Sequence, residues 1–107
     1  MSFRTRMQSD DGVVTIWLAG ELDSQAAPEF NELIAGAADL HPRKLVLLTE
    51  DLTYMSSAGL RSLVFAHQKM PPGMEIVLIG ARPEVAETIR LTGFDRSIVM
   101  QEATEPR

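Results

Sequence analysis

The stretch Lys44-Leu45-Val46-Leu47-Leu48-Thr49-Glu50-Asp51-Leu52-Thr53-Tyr54-Met55-Ser56-Ser57-Ala58-Gly59-Leu60-Arg61 decides the fold class. From Lys44 to Thr49 it is almost continuously apolar, which suits a strand buried on both faces in a parallel sheet covered by helices. Ala58 to Met70 then carries Leu60, Leu63, Val64 and His67 at helical spacing, and Pro71-Pro72-Gly73 stops that helix. Glu50 to Ser57 reads as the loop between them, with Tyr54 and Met55 as apolar loop residues. A buried strand running directly into a helix is half of a βαβ unit, so the chain is α/β.

Toward the N-terminus, Phe3 to Met7 alternates weakly and predicts a short edge strand. Ser9-Asp10-Asp11-Gly12 is a turn signal, and the β-branched and aromatic run Val13 to Leu18 is a strand that stops at Ala19-Gly20. Asp23 and Ser24 both suit a helix N-cap, and Ala26, Phe30, Leu33, Ile34 and Ala37 place one amphipathic helix before His41-Pro42. Toward the C-terminus, Glu75 to Ile79 repeats the buried-strand pattern. Pro83 opens a third helix with Val85, Ala86, Ile89 and Leu91 facing inward, Gly93 caps it, and Ser97 to Met100 adds a last short strand. The order β, β, α, β, α, β, α, β predicts a mixed, mostly parallel sheet of four to five strands packed with about three to four helices. One domain is expected over residues 1–107, ordered from about 3 to 100, with a flexible tail over 101–107.

Composition narrows the function classes. The chain has 107 residues, 45% hydrophobic and 23% charged, as expected of one globular domain. It has no cysteine, which excludes disulfides, thiolate metal sites and cysteine nucleophiles. No apolar run approaches the roughly 20 residues of a membrane span, and Met1 to Arg6 lacks the apolar stretch of a signal peptide. A cytoplasmic protein without a membrane partner is therefore expected. The net charge of −5 opposes nucleic-acid binding, and Arg43-Lys44 is the nearest approach to a basic cluster. His41 and His67 are far apart and lack acidic neighbours at metal-site spacing. Gly80-Ala81-Arg82-Pro83 lacks the repeated glycines of a phosphate-binding loop. No nucleophile, base and acid assemble, so the chain does not read as an enzyme.

What remains is the pair Ser56-Ser57 at a strand-to-helix junction. In open α/β sheets functional groups gather outside the carboxyl ends of the strands. A serine at the start of a helix meets free backbone N–H groups and the positive end of the helix dipole, which favour an anion. A phosphate there would be tolerated by the fold while adding roughly −1.5 to −2 charge beside apolar contact residues. The simpler reading is that the serines only cap the helix, with Tyr54 and Met55 packed on the sheet edge and Gly59 small to let helix and sheet approach.

The motifs together resemble the STAS domain, specifically the stand-alone anti-sigma factor antagonists. The resemblance spans about Val13 to Met100. It rests on Leu18-Ala19-Gly20-Glu21-Leu22-Asp23, the strand Leu45 to Leu48, Tyr54-Met55-Ser56-Ser57-Ala58-Gly59-Leu60-Arg61 and Leu91-Thr92-Gly93-Phe94. It implies a non-enzymatic partner switch. The unphosphorylated chain would bind an anti-sigma factor that is also a serine kinase of the histidine-kinase-like ATPase fold. Phosphorylation would break that complex, and a PP2C-type phosphatase would reset it. Aligned on Gly59, the phosphoacceptor falls on Ser57. Many family members carry Asp where this chain has Ser56, which leaves a second hydroxyl beside the first, so Ser56 is the second choice of acceptor, alone or together with Ser57. The implied contact set is Asp23, Tyr54, Met55, Ser56, Ser57, Ala58, Gly59 and Arg61. The resemblance implies no cofactor in the chain itself, since ATP and Mg2+ belong to the kinase; nothing in the sequence demands more than a monomer. A reading from another class stays open: a constitutive scaffold or sensor that binds a nucleotide or small ligand between the loops at Gly20, Ser57 and Gly80.

Overall fold

The computed structural model describes residues 2–103. Two strands open the chain, β1 (Phe3–Asp10) and β2 (Val13–Leu22), followed by helix α1 (Ala27–Ala38). Strand β3 (Lys44–Met55), helix α2 (Ser57–Lys69), strand β4 (Glu75–Ile79) and helix α3 (Pro83–Leu91) come next, and a single 3-10 turn (Phe94–Arg96) leads into β5 (Val99–Gln101). The five strands form one sheet in sequence order, with β1 antiparallel to β2 and the other pairs parallel. The mixed, mostly parallel sheet and its three helices are those expected from the sequence.

Local chemistry explains the joints. Asp11 and Gly12 take φ values of 53° and 79°, the positive pair that a two-residue hairpin loop requires for Asp10 to face Val13. Asp23 caps the chain one turn ahead of α1: its Oδ1 accepts from the backbone N–H groups of Gln25 (3.1 Å) and Ala26 (3.0 Å). Pro83 begins α3, where its missing N–H costs nothing.

Sheet order fixes which face is covered. Each parallel connection steps to the next strand in the same direction, and right-handed crossovers then put all three helices on one side. Burial agrees: Val14, Ile16 and Leu18 of β2, Leu45 and Leu47 of β3, and Ile76 and Leu78 of β4 join Phe30, Ile34, Leu63, Val85 and Ile89 in one core. The alternate residues Thr15, Trp17, Val46 and Leu48 are only half-buried. The expectation of a strand buried on both faces is therefore corrected for β3, while in β4 the consecutive residues Ile76, Val77 and Leu78 are all buried. Val46 and Leu48 lie on an open face.

Other boundaries shift. β2 continues past Gly20 to Leu22 through two register irregularities, and β3 continues to Met55, so Tyr54 and Met55 are strand residues rather than loop residues. The buried face of α2 is Gly59, Ser62, Leu63 and Ala66, while His67 is exposed. Leu91 is 79% exposed rather than inward, because its position on α3 is turned from Val85, Ala86 and Ile89. The last strand is Val99–Gln101 rather than 97–100, with Gln101 opposite Ile79 and its carbonyl accepting from Gly80 N–H at 2.9 Å, so Gln101, expected in the tail, is a strand residue. Residues 104–107 of that tail lie outside the described residues.

Candidate functional site

Three chain segments converge at the carboxyl end of the parallel strands. Glu21 pairs with Tyr54 and Leu22 with Met55, which brings the end of β2 against the end of β3 and the start of α2. β4 stops opposite Leu48, so β3 runs on from Thr49 to Met55 with only β2 beside it. This projecting edge carries Tyr54 at 50% exposure.

Ser56 holds the junction together. Its backbone is extended (φ −84°, ψ 176°), and its Oγ accepts from Gly59 N–H at 3.2 Å while donating to Leu22 O at 3.2 Å. Its backbone N–H also donates to Leu22 O at 3.0 Å. The hydroxyl of Ser56 is thus committed as donor and as acceptor. Ser57 is the first residue of α2, is exposed, and takes no part in these capping bonds. The first turn of α2 contains no acidic residue, so the partial positive charge of its free N–H groups is not neutralised by the helix itself.

The residues read from the sequence divide into two groups. Tyr54, Ser57 and Arg61 are exposed, and Asp23, Ser56 and Ala58 are half-buried; these six, at the ends of β2 and β3 and the start of α2, make up the rim of the junction. Met55, 4% exposed, belongs to the core, and Gly59 is buried against β2. A Cβ on Gly59 would lie 2.7 Å from both Leu22 Cγ and Leu22 O. Those two residues support the rim from beneath rather than offering surface. Thr53 and Glu21 belong to the rim as well. Thr53 is exposed with its Oγ1 donating to Gly20 O at 3.1 Å, and Glu21 is the cross-strand neighbour of Tyr54. The exposed pair Thr53-Tyr54 between buried Leu52 and Met55, and the pairing of Glu21 with Tyr54, identify them once the strand is carried to Met55.

The concavity beside the rim holds about 200 Å³ and is lined by Glu21, Asp23 and Glu29 with Ser2, Phe3, Gln25 and Ala26. Three carboxylates repel the phosphates of a nucleotide, which argues against a nucleotide pocket there. At the Gly80 loop, the Arg82 Nε–H donates to Glu50 O at 3.0 Å, and Glu50 crowds the glycine. Among the described residues no three His, Asp or Glu side chains converge as a metal-binding group, and no helix is long and apolar enough to cross a membrane.

Comparison with known proteins places this arrangement. The STAS domain family model matches residues 4–106. BtrV of Bordetella bronchiseptica, which bears the name of an anti-sigma factor antagonist, is 35% identical over 89 residues, covering 82% of this chain and 77% of BtrV. The crystal structure of an anti-sigma factor antagonist from Mycobacterium paratuberculosis superposes with a TM-score of 0.87 at 25% identity, over 94% of this chain and 86% of that one. The Bacillus cell fate determinant SpoIIAA in its phosphorylated form has a TM-score of 0.74 at 22% identity, over 97% and 93% of the two chains; there the likeness is one of fold.

Proposed function

This chain belongs to the STAS domain family, and from that premise we propose that it is an anti-sigma factor antagonist switched by phosphorylation of Ser57. The rim of Tyr54, Ser57 and Arg61, with Asp23, Ser56 and Ala58, docks on an anti-sigma factor that is also a serine kinase of the histidine-kinase-like ATPase fold. The observation that carries the reading is the contrast between the two serines: Ser56 is tied to Leu22 O and Gly59 N–H, while the exposed Ser57 is outside those bonds.

The chemistry follows from that placement. Ser57 Oγ attacks the γ-phosphorus of ATP held with Mg2+ by the kinase. The new O–P bond forms as the bond to the β-phosphate oxygen breaks, ADP leaves with the electron pair, and the hydroxyl proton passes to a base of the kinase. The product adds roughly −1.5 to −2 charge at the first turn of α2, where backbone N–H groups and the helix dipole accept it. Within the folded chain that charge is tolerated. Pressed against a partner beside Tyr54, it must be desolvated, and the complex breaks. A PP2C-type phosphatase removes the phosphate and restores binding.

The test is phosphopeptide mapping after incubation of the chain with its cognate kinase and ATP. Phosphate should appear on Ser57, vanish in Ser57→Ala and persist in Ser56→Ala. A chain that binds the kinase tightly yet is never modified on either serine would sink the phospho-switch while leaving the docking role intact.

A further inference from the structure

The crossovers put no helix on one face of the sheet, and that face is uneven: Val77 of β4 is buried, whereas Thr15, Trp17, Val46 and Leu48 are half-buried. The register sets Arg6, Trp17, Leu48 and Ile79 in one cross-strand row, and Gln8, Thr15, Val46 and Val77 in the next. Arg6, Gln8, Thr15, Trp17 and Leu48 line a groove of about 230 Å³. Two guanidinium groups lie over the indole of Trp17, with Arg4 5.7 Å and Arg6 5.3 Å from the ring centroid. The indole N–H donates to Asp51 Oδ2 at 3.0 Å, which fixes the ring between β1 and β3.

Charge decides what this face suits. Arg43 and Lys44 each have a carboxylate at 3.8 Å, from Asp11 and Glu75. Among the described residues Arg4 and Arg6 form no ion pair, although the chain carries a net charge of −5. Both lie over one aromatic ring, so their like charges are held close together, and the carboxylate beside them, Asp51, is bound to the indole N–H and pairs with neither guanidinium. A carboxylate bridging the two would relieve that repulsion and gain forked hydrogen bonds. Beside it, the groove lined by Thr15, Trp17 and Leu48 has room for one apolar side chain.

Area argues against a second copy of the chain as the occupant. Strands about 4.8 Å apart with about 3.3 Å per residue, over the paired lengths of the five strands, give a flat sheet area of roughly 400 Å² per molecule. A face of that extent, part of it buried Val77, is small beside the roughly 800 Å² of accessible surface each partner gives to a standard stable interface, and two acidic molecules also repel one another. The geometry points to a second docking surface, on the sheet face away from the helices, for an acidic polypeptide segment bearing an apolar side chain. It is separate from the rim around Ser57 and does not depend on how that rim is switched.

The test is a site-resolved NMR titration of the 15N-labelled full chain with a blocked hexapeptide of alternating glutamate and leucine. Saturable shifts are expected at the Trp17 Nε1–H and at the amides of Arg6, Gln8, Thr15 and Leu48, with Tyr54 and Ser57 unmoved. Affinity should fall at least about tenfold in the Arg4→Gln/Arg6→Gln double variant, as expected for loss of a charge-assisted pair. Leu48→Glu, which keeps both arginines, should weaken binding as well, and melting curves establish that each variant is folded. Equal shifts with a lysine–leucine peptide, shifts centred on the Ser57 rim, or no saturable shift at millimolar peptide would each overturn the proposal. Concentration-dependent shifts of the same resonances in the free chain would assign the face to self-association instead. Binding to vesicles of phosphatidylglycerol and phosphatidylcholine, without peptide binding, would assign it to a lipid surface.

Discussion

Gly59→Ala should lower stability although it places a better helix former inside a helix. The substitution alone favours the helical state by about 1 kcal/mol. Against this, the new Cβ would stand 2.7 Å from Leu22 Cγ, 2.7 Å from Leu22 O and 3.1 Å from Leu22 Cδ2. A side-chain terminus can rotate aside, but the carbonyl oxygen of a strand cannot, and it also accepts from Ser56. Overpacking of this kind costs about 1–3 kcal/mol, and backbone contact puts it at the upper end. The net loss is about 2 kcal/mol, a fall in Tm of roughly 8–16 °C for a domain of this size. Gly36→Ala is the matched control: Gly36 also lies in a helix, but nothing is within 4 Å of its Cβ position. It should gain about 0.5–1 kcal/mol and raise Tm by roughly 2–8 °C. Thermal unfolding followed by far-UV circular dichroism reads both. If Gly59→Ala melts at or above the parent while Gly36→Ala behaves as stated, α2 is not pressed against β2 and the argument fails.

Ser56→Ala removes an N-cap and one bond to Leu22 O, so urea unfolding should show a loss of about 1 kcal/mol; Ser57→Ala should stay within about 0.5 kcal/mol. Tyr54→Ala should leave the melting curve almost unchanged yet weaken kinase binding by calorimetry, by about 2 kcal/mol if Tyr54 is a central contact. Met55→Ala should do the opposite first, losing about 2–5 kcal/mol of stability because its side chain is in the core. Leu91→Lys should be neutral within about 0.5 kcal/mol in the same unfolding assay, since Leu91 is 79% exposed.

The elements that the sequence made legible are those with strong local signals. Asp11-Gly12 fixed the hairpin, the Phe30–Ile34–Ala37 stripe fixed α1, and Pro71-Pro72-Gly73 closed α2. The reach of β3 was hidden because its burial rhythm changes from every second residue at Leu45, Leu47 and Thr49 to every third at Leu52 and Met55. The register irregularities with β2 produce that change, and they depend on pairing between distant segments. The open face was hidden for another reason. Val46 and Leu48 are as apolar as their buried neighbours, so composition alone reads as burial on both sides, and only the direction of the crossovers separates them. At the site, the serine pair was legible from its place before a helix. Whether Met55 and Gly59 offer surface or support depended on their distance from Leu22 and the core, which no spacing encodes.

The triple tie at Ser56, from its hydroxyl and its amide to Leu22 and from Gly59 back to it, anchors the backbone at the residue preceding Ser57. A phosphate on Ser57 would therefore be a mark written on a rigid tablet rather than a lever thrown. On the proposed reading the two forms of the chain share one shape and differ in one patch of surface. No refolding step would delay the response, and the lifetime of the signal would be set by the enzymes that write and erase the mark.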